Sequence, residues 1–126
     1  MTPSSHKILL ADDEIPLMKS LLKLLSLKGY QVDSVTDGEQ AVQLLQSSSY
    51  DVMILDLKMP GMDGIETLKR IKKLGLSVIV LILTGHGSID SALEAIRLGA
   101  YDYLTKPCDI EDLLTKIEDA LKRKRK

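Results

Sequence analysis

Five short apolar runs alternate with five amphipathic stretches along this chain of 126 residues, and that alternation limits its possible folds more than any other feature. Residues 8–11, 52–55 and 78–83 are almost wholly apolar, as strands covered on both faces must be. Residues 30–35 alternate apolar with polar, and residues 101–104 are short and mixed, which predicts two edge strands. Between the runs, apolar residues recur at three- and four-residue steps. The predicted stripes are Met18, Leu21, Leu22 and Leu25; Ala41, Leu44 and Leu45; and Ile65, Leu68 and Ile71. A fourth reads Ile89, Ala92, Leu93 and Ile96, and a fifth Leu113, Ile117 and Leu121. Gly29, Gly75 and Gly99 fall where helices should stop, Pro16 falls in a first turn, and Asp109 is placed to cap the last helix.

A repeated strand–helix pattern gives a parallel sheet, because right-handed crossovers put helices on both faces. With the second and fifth strands at the edges, the expected fold is α/β, a flavodoxin-like (βα)5 unit with sheet order 2-1-3-4-5. The length fits one domain, residues 1–126, with a folded core over about 7–121 and a basic end or linker start at 122–126. A hydrophobic fraction of 44% against 28% charged is ordinary for a globular chain, and a net charge of −1 argues against a protein that coats nucleic acid. No apolar run is long enough to span a bilayer, and the first six residues lack the apolar middle of a secretory signal. Cys108 is the single cysteine, so an internal disulfide is impossible and a reducing, cytoplasmic compartment is expected.

In sheets of this order the site lies beyond the carboxyl ends of the strands, near the switch between strands one and three. Asp12 and Asp13 follow the first strand and Asp56 the third; Thr84 and Gly85 follow the fourth, and the fifth runs into Lys106 and Pro107. Any one of these alone reads as a cap, a turn residue or a solvated charge. Together they put three carboxylates, a hydroxyl and an ammonium in one cleft. Two like charges ~4 Å apart repel by about 4 kcal/mol at an effective dielectric of about 20. A hard divalent cation relieves that repulsion, and oxygen ligands suit Mg²⁺. A carboxylate beside such a cation is competent to accept a phosphoryl group, which points to Asp56 as acceptor, with Lys106 and Thr84 as donors to phosphoryl oxygens.

Four segments carry a resemblance that covers essentially the whole chain: ILLADDE at 8–14, DVMILDLKMPGMDG at 51–64, LTGHG at 83–87 and GAYDYLTKP at 99–107. The sequence resembles the receiver domain of two-component response regulators. The resemblance implies that Asp56 is the phosphoacceptor, that Asp12, Asp13 and the backbone carbonyl of Lys58 join it in holding Mg²⁺, and that Thr84 and Tyr103 form a switch. It implies that Lys106 pairs with the phosphoryl group and that the Lys106–Pro107 bond is cis. It further implies a sensor histidine kinase as phosphoryl donor and an altered surface of helix four, strand five and helix five on phosphorylation. An output domain beyond the C-terminus and a homodimer on phosphorylation are partners of the same kind, whereas direct nucleic-acid or membrane binding by this domain is not expected. The wording around residues 84–87 and 99–103 is similar to receivers ahead of ATPase-type transcription activators and to some attached to hybrid sensor kinases. Cys108 departs from the pattern, standing where the family usually has an aromatic, and the chain has no Phe or Trp.

Three other classes compete. A flavin carrier of this fold needs Ser, Thr or Gly donors after strand one, where this chain has Asp12, Asp13 and Glu14, which repel an anion. An aspartate-nucleophile phosphatase needs a second Asp two residues after the nucleophile, where this chain has Lys58. The expected role is therefore a phosphoacceptor switch with at most slow self-dephosphorylation, not a turnover enzyme. A docking or dimerisation module that works without phosphorylation is the third class. His86 and Lys58 flank the acceptor and could tune hydrolysis, His6 is expected to be a bystander, and the basic stretch from Lys122 to Lys126 reads as the charged end of the last helix.

Overall fold

The structure, a computed structural model, describes residues 6–59, 61–85 and 89–124. Strands β1 (Lys7–Ala11), β2 (Gln31–Val35), β3 (Val52–Leu55), β4 (Ile79–Thr84) and β5 (Asp102–Thr105) alternate with α1 (Ile15–Leu27), α2 (Gly38–Ser47), α3 (Gly64–Leu74), α4 (Ile89–Arg97) and α5 (Ile110–Lys124). All neighbouring strands pair in parallel, in the order 2-1-3-4-5. The expected sheet is the one observed. The two strands predicted from residues 30–35 and 101–104 are indeed the edges, the first beginning one residue later and the second shifted by one residue.

Because the pleat sends successive side chains to opposite faces, each central strand feeds two cores. Ile8, Leu10, Ile54 and Leu83 pack with Met18, Leu21 and Leu25 of α1 and with Leu113 and Ile117 of α5. Leu9, Met53, Leu55 and Ile82 pack on the other face with Ala41 and Leu45 of α2, Leu68 and Ile71 of α3, and Ala95 of α4. Burial on both faces explains why β1, β3 and β4 read as unbroken apolar runs.

Helix ends follow the expected chemistry. Gly29, Gly75 and Gly99 take positive φ, and Gly75 is itself the left-handed cap of α3. Pro16 lies in the first turn of α1, and Asp109 accepts from the Glu111 backbone N–H at 3.1 Å in front of α5. Asp37 and Asp63 cap α2 and α3 in the same manner.

The fourth stripe requires a correction. Leu93 and Ile96 are exposed, at 46% and 36%, while Ala92 and Ala95 are buried. The small side chains let α4 lie close to the sheet, and the larger apolar residues consequently face outward. Spacing and size favour the leucine and isoleucine for burial, and close approach reverses that choice. The side chain of Ile89 lies outside the described residues.

Candidate phosphoacceptor and metal site

The proposed site residues arrive at the carboxyl edge of the sheet from four strands, β1, β3, β4 and β5. Asp12 directly follows β1 and Asp56 directly follows β3; the two ends are tied by the Asp56 backbone N–H donating to the Ala11 carbonyl at 2.9 Å. Thr84 ends β4, and its carbonyl accepts from the Lys106 N–H at 2.8 Å, which brings the residue after β5 to the same rim. Asp12, Asp56 and Thr84 are all buried, whereas Asp13 stands exposed beside them. The Lys106–Pro107 bond is cis.

Asp12, Asp13 and Asp56 each offer a carboxylate oxygen such that the three lie within 4.8 Å of one another. That spacing and an all-oxygen donor set suit a hard cation such as Mg²⁺. A cavity of about 730 Å³ opens beside them, lined by the polar Asp13, Asp56, Thr84 and Lys106 and by the apolar Leu17, Leu21, Leu24 and Ile110.

Residues 8–118 match the family described as response regulator receiver domain. The chain belongs to that family. Relatives of the receiver include transcriptional regulatory protein ZraR of Escherichia coli K12, 40% identical over 121 residues, which are 96% of this chain and 27% of that protein. Sporulation initiation phosphotransferase F of Bacillus subtilis is 37% identical over 119 residues, 94% of this chain and 93% of that one. Among solved structures, a CheY-like receiver domain from Methanospirillum hungatei superposes with a TM-score of 0.92 at 27% identity, covering 97% of this chain and 98% of that one. A receiver domain from Clostridium thermocellum gives 0.88 at 37% identity, covering 95% and 97%. The receiver thus spans about a quarter of ZraR but nearly all of the phosphotransferase.

Burial and the closeness of other acids both act on the Asp56 carboxyl in the receiver's pocket, and burial acts more strongly. Burial, then the neighbouring Asp12 charge, pushes the Asp56 carboxyl up to about 6; the Lys58 backbone N–H, donating to Oδ1 at 3.2 Å, and Lys106 act against that rise. Burial alone would lower the Lys106 ammonium, yet its contacts with Asp12, Glu14 and Asp56 raise it above the ordinary lysine value. Lys106 Nζ stands 2.7 Å from Asp12 Oδ2 and 3.5 Å from Asp56 Oδ2, and it also pairs with the Glu14 carboxylate.

Tyr103 pairs in register with Ile82, two residues before Thr84 on β4, so Tyr103 and Thr84 share the sheet face that α4 covers. Tyr103 is half-buried against that core. Lys58 is exposed, with its backbone against the acceptor. Cys108 packs, half-buried, against the core between α1 and α5, so a smaller residue occupies this position without leaving it unpacked from the core. His86 lies outside the described residues, as do Arg125 and Lys126; α5 carries the basic end as far as Lys124, and Arg123 stacks over Tyr101 at 5.7 Å. Glu14 was legible in the sequence only as the third acid of a triplet, and its contact with Lys106 across 92 positions needed the fold.

Proposed function

We propose that this receiver accepts a phosphoryl group on Asp56 from a phosphohistidine of a sensor kinase and relays the change through Thr84 and Tyr103. The observation that carries this reading is the gathering of three carboxylate oxygens within 4.8 Å, one of them on a buried Asp56 that faces the cavity with Thr84 and Lys106. Asp12, Asp13 and Asp56 would hold Mg²⁺, with the Lys58 carbonyl as the further ligand that the family resemblance implies. When bound, the cation offsets the negative charge that otherwise opposes a phosphoryl donor.

In the transfer, an Asp56 carboxylate oxygen forms the new bond to phosphorus while the phosphorus–nitrogen bond of the donor breaks. The electron pair of that bond stays on the imidazole nitrogen. Lys106 lies within reach of Asp56 to pair with a phosphoryl oxygen, and Thr84 can donate to another. Because Thr84 and Tyr103 share a sheet face, a shift of the hydroxyl toward the phosphoryl group alters the room available to the Tyr103 ring. That biases the surface of α4, β5 and α5 between two packings. Lys58 stands where an aspartate-nucleophile phosphatase carries its acid, so the aspartyl phosphate should persist as a signal.

The apolar lining of the cavity, contributed by α1 and the start of α5, suits a helical partner that presents the imidazole. Among the described residues no helix is long and apolar enough to cross a membrane, and we place the domain in the cytoplasm, acting on an output domain in the same chain or on a separate partner. The names of the relatives favour a transcriptional output or a phosphorelay. Residues 1–126 are proposed as one receiver unit, with dimerisation as the consequence of the altered α4–β5–α5 surface.

The decisive experiment treats the protein with acetyl phosphate, with and without Mg²⁺, beside Asp56→Ala, and weighs each by intact mass spectrometry. Gain of one phosphoryl group that requires both Mg²⁺ and Asp56 is expected. No gain under any condition would replace the switch with a docking module that works without phosphorylation.

A further inference from the structure

The phosphoacceptor reading leaves Glu14 without a role, yet Glu14 touches two of the residues that carry it. Its backbone N–H donates to Asp12 Oδ1 at 2.9 Å, and its carboxylate accepts from Lys106 Nζ. The same Nζ meets Asp12 Oδ2 at 2.7 Å. Asp12, Lys106 and Glu14 therefore close a ring in which both Asp12 oxygens are taken. The ammonium has three hydrogens and three carboxylate neighbours, and Asp56, at 3.5 Å, is the loosest of them. Asp12 and Lys106 side chains are only 3% and 11% exposed, whereas Glu14 is 56% exposed.

We infer that Glu14 is a positioning residue that acts through Lys106, holding the ammonium on Asp12 so that cation binding requires the ring to open. The inference rests on the reading that Asp12 and Asp13 take Mg²⁺. An Asp12 oxygen occupied by an ammonium is not free for a cation, and a lysine held by two carboxylates is harder to displace than one held by one. Glu14 is tied to Asp12 through its own backbone, so its carboxylate meets the ammonium where the ammonium also meets Asp12. Glu14 exerts a second, opposite effect: as one more negative charge it draws a cation toward the site at longer range. Only the first effect needs Lys106, and that difference separates them.

The test measures Mg²⁺ affinity by calorimetry for the wild type, Glu14→Gln, Lys106→Met and the double variant. Lys106→Gln repeats the background with a polar side chain, and circular dichroism checks the fold of each. Relative to its effect without Lys106, Glu14→Gln should tighten Mg²⁺ binding by about threefold or more when Lys106 is present. An equal effect in both backgrounds would overturn the inference, as would a Glu14→Gln change that loosens binding more when Lys106 is present. A wild type that binds no Mg²⁺ would remove the metal reading and this inference together. Intact binding without coupling would remove the positioning role alone.

Discussion

At the residue scale, Asp56 is held in a state that favours its proton. Its ordinary value lies near 3.8 and its folded value near 6, so the folded protein binds the proton more readily between those limits. The sign follows from linkage: this group's contribution to stability is greatest at or below pH 4 and is lost as pH rises through 6. In EDTA at neutral pH, Asp56→Asn should therefore raise the unfolding free energy, by about 1–2 kcal/mol, with the gain fading toward pH 4. Urea unfolding at a series of pH values checks this; a gain that is flat with pH would mean that the carboxylate is not strained. Lys106 is the counterweight. Lys106→Met should destabilise the metal-free protein by about 2–4 kcal/mol, because Asp12 stays buried without its partner, and added Mg²⁺ should restore part of that loss. A variant as stable as the wild type in EDTA would show that the lysine is not compensating the acids.

At the element scale, the approach of α3 to the end of β3 sets where Asp56 stands. A Cβ at Gly64 would come within 2.6 Å of the Asp56 carbonyl oxygen and of the Leu57 Cα, both backbone atoms with little freedom to yield. Gly64→Ala should cost about 1–3 kcal/mol and slow phosphorylation from acetyl phosphate. Ordinary stability together with ordinary phosphorylation would show that the loop moves aside. For α4 the expectation is the reverse of the sequence pattern. Leu93→Lys and Ile96→Glu should each change stability by less than about 0.5 kcal/mol, whereas Ala95→Leu should destabilise by overpacking the sheet face. Thermal unfolding of the three variants decides between the outward face described above and the inward stripe that spacing predicts. Hydrophobic spacing locates a helix but does not choose its buried side where alanines and leucines compete for it. On α1, α3 and α5 the residues of the predicted stripes are buried or half-buried, so spacing and burial agree there, with Ile15, Leu24, Leu27 and Leu74 left exposed outside the stripes.

At the scale of the whole molecule, folding gathers acids that repel one another, and a ligand specific to the folded state should offset that. At a Mg²⁺ concentration ten times its dissociation constant, linkage predicts about 1.4 kcal/mol of added stability. Asp12→Asn should abolish most of it, and differential scanning fluorimetry with and without Mg²⁺ reads both. A shift unchanged in that variant would place the cation elsewhere. Much of this protein was determined by its sequence: strand alternation and edge polarity determined the sheet order, and the sheet order determined that residues 12, 13, 56, 84 and 106 share one rim. That inference works because strand period and crossover handedness are local, general rules. The tertiary structure decided the rest. It placed Glu14 on Lys106, put Tyr103 on the same sheet face as Thr84, turned Leu93 and Ile96 outward, and left Asp56 buried enough to resist losing its proton. Those outcomes depend on how closely elements approach, and distance between elements is a property of packed side chains in three dimensions, which no periodicity along the chain encodes.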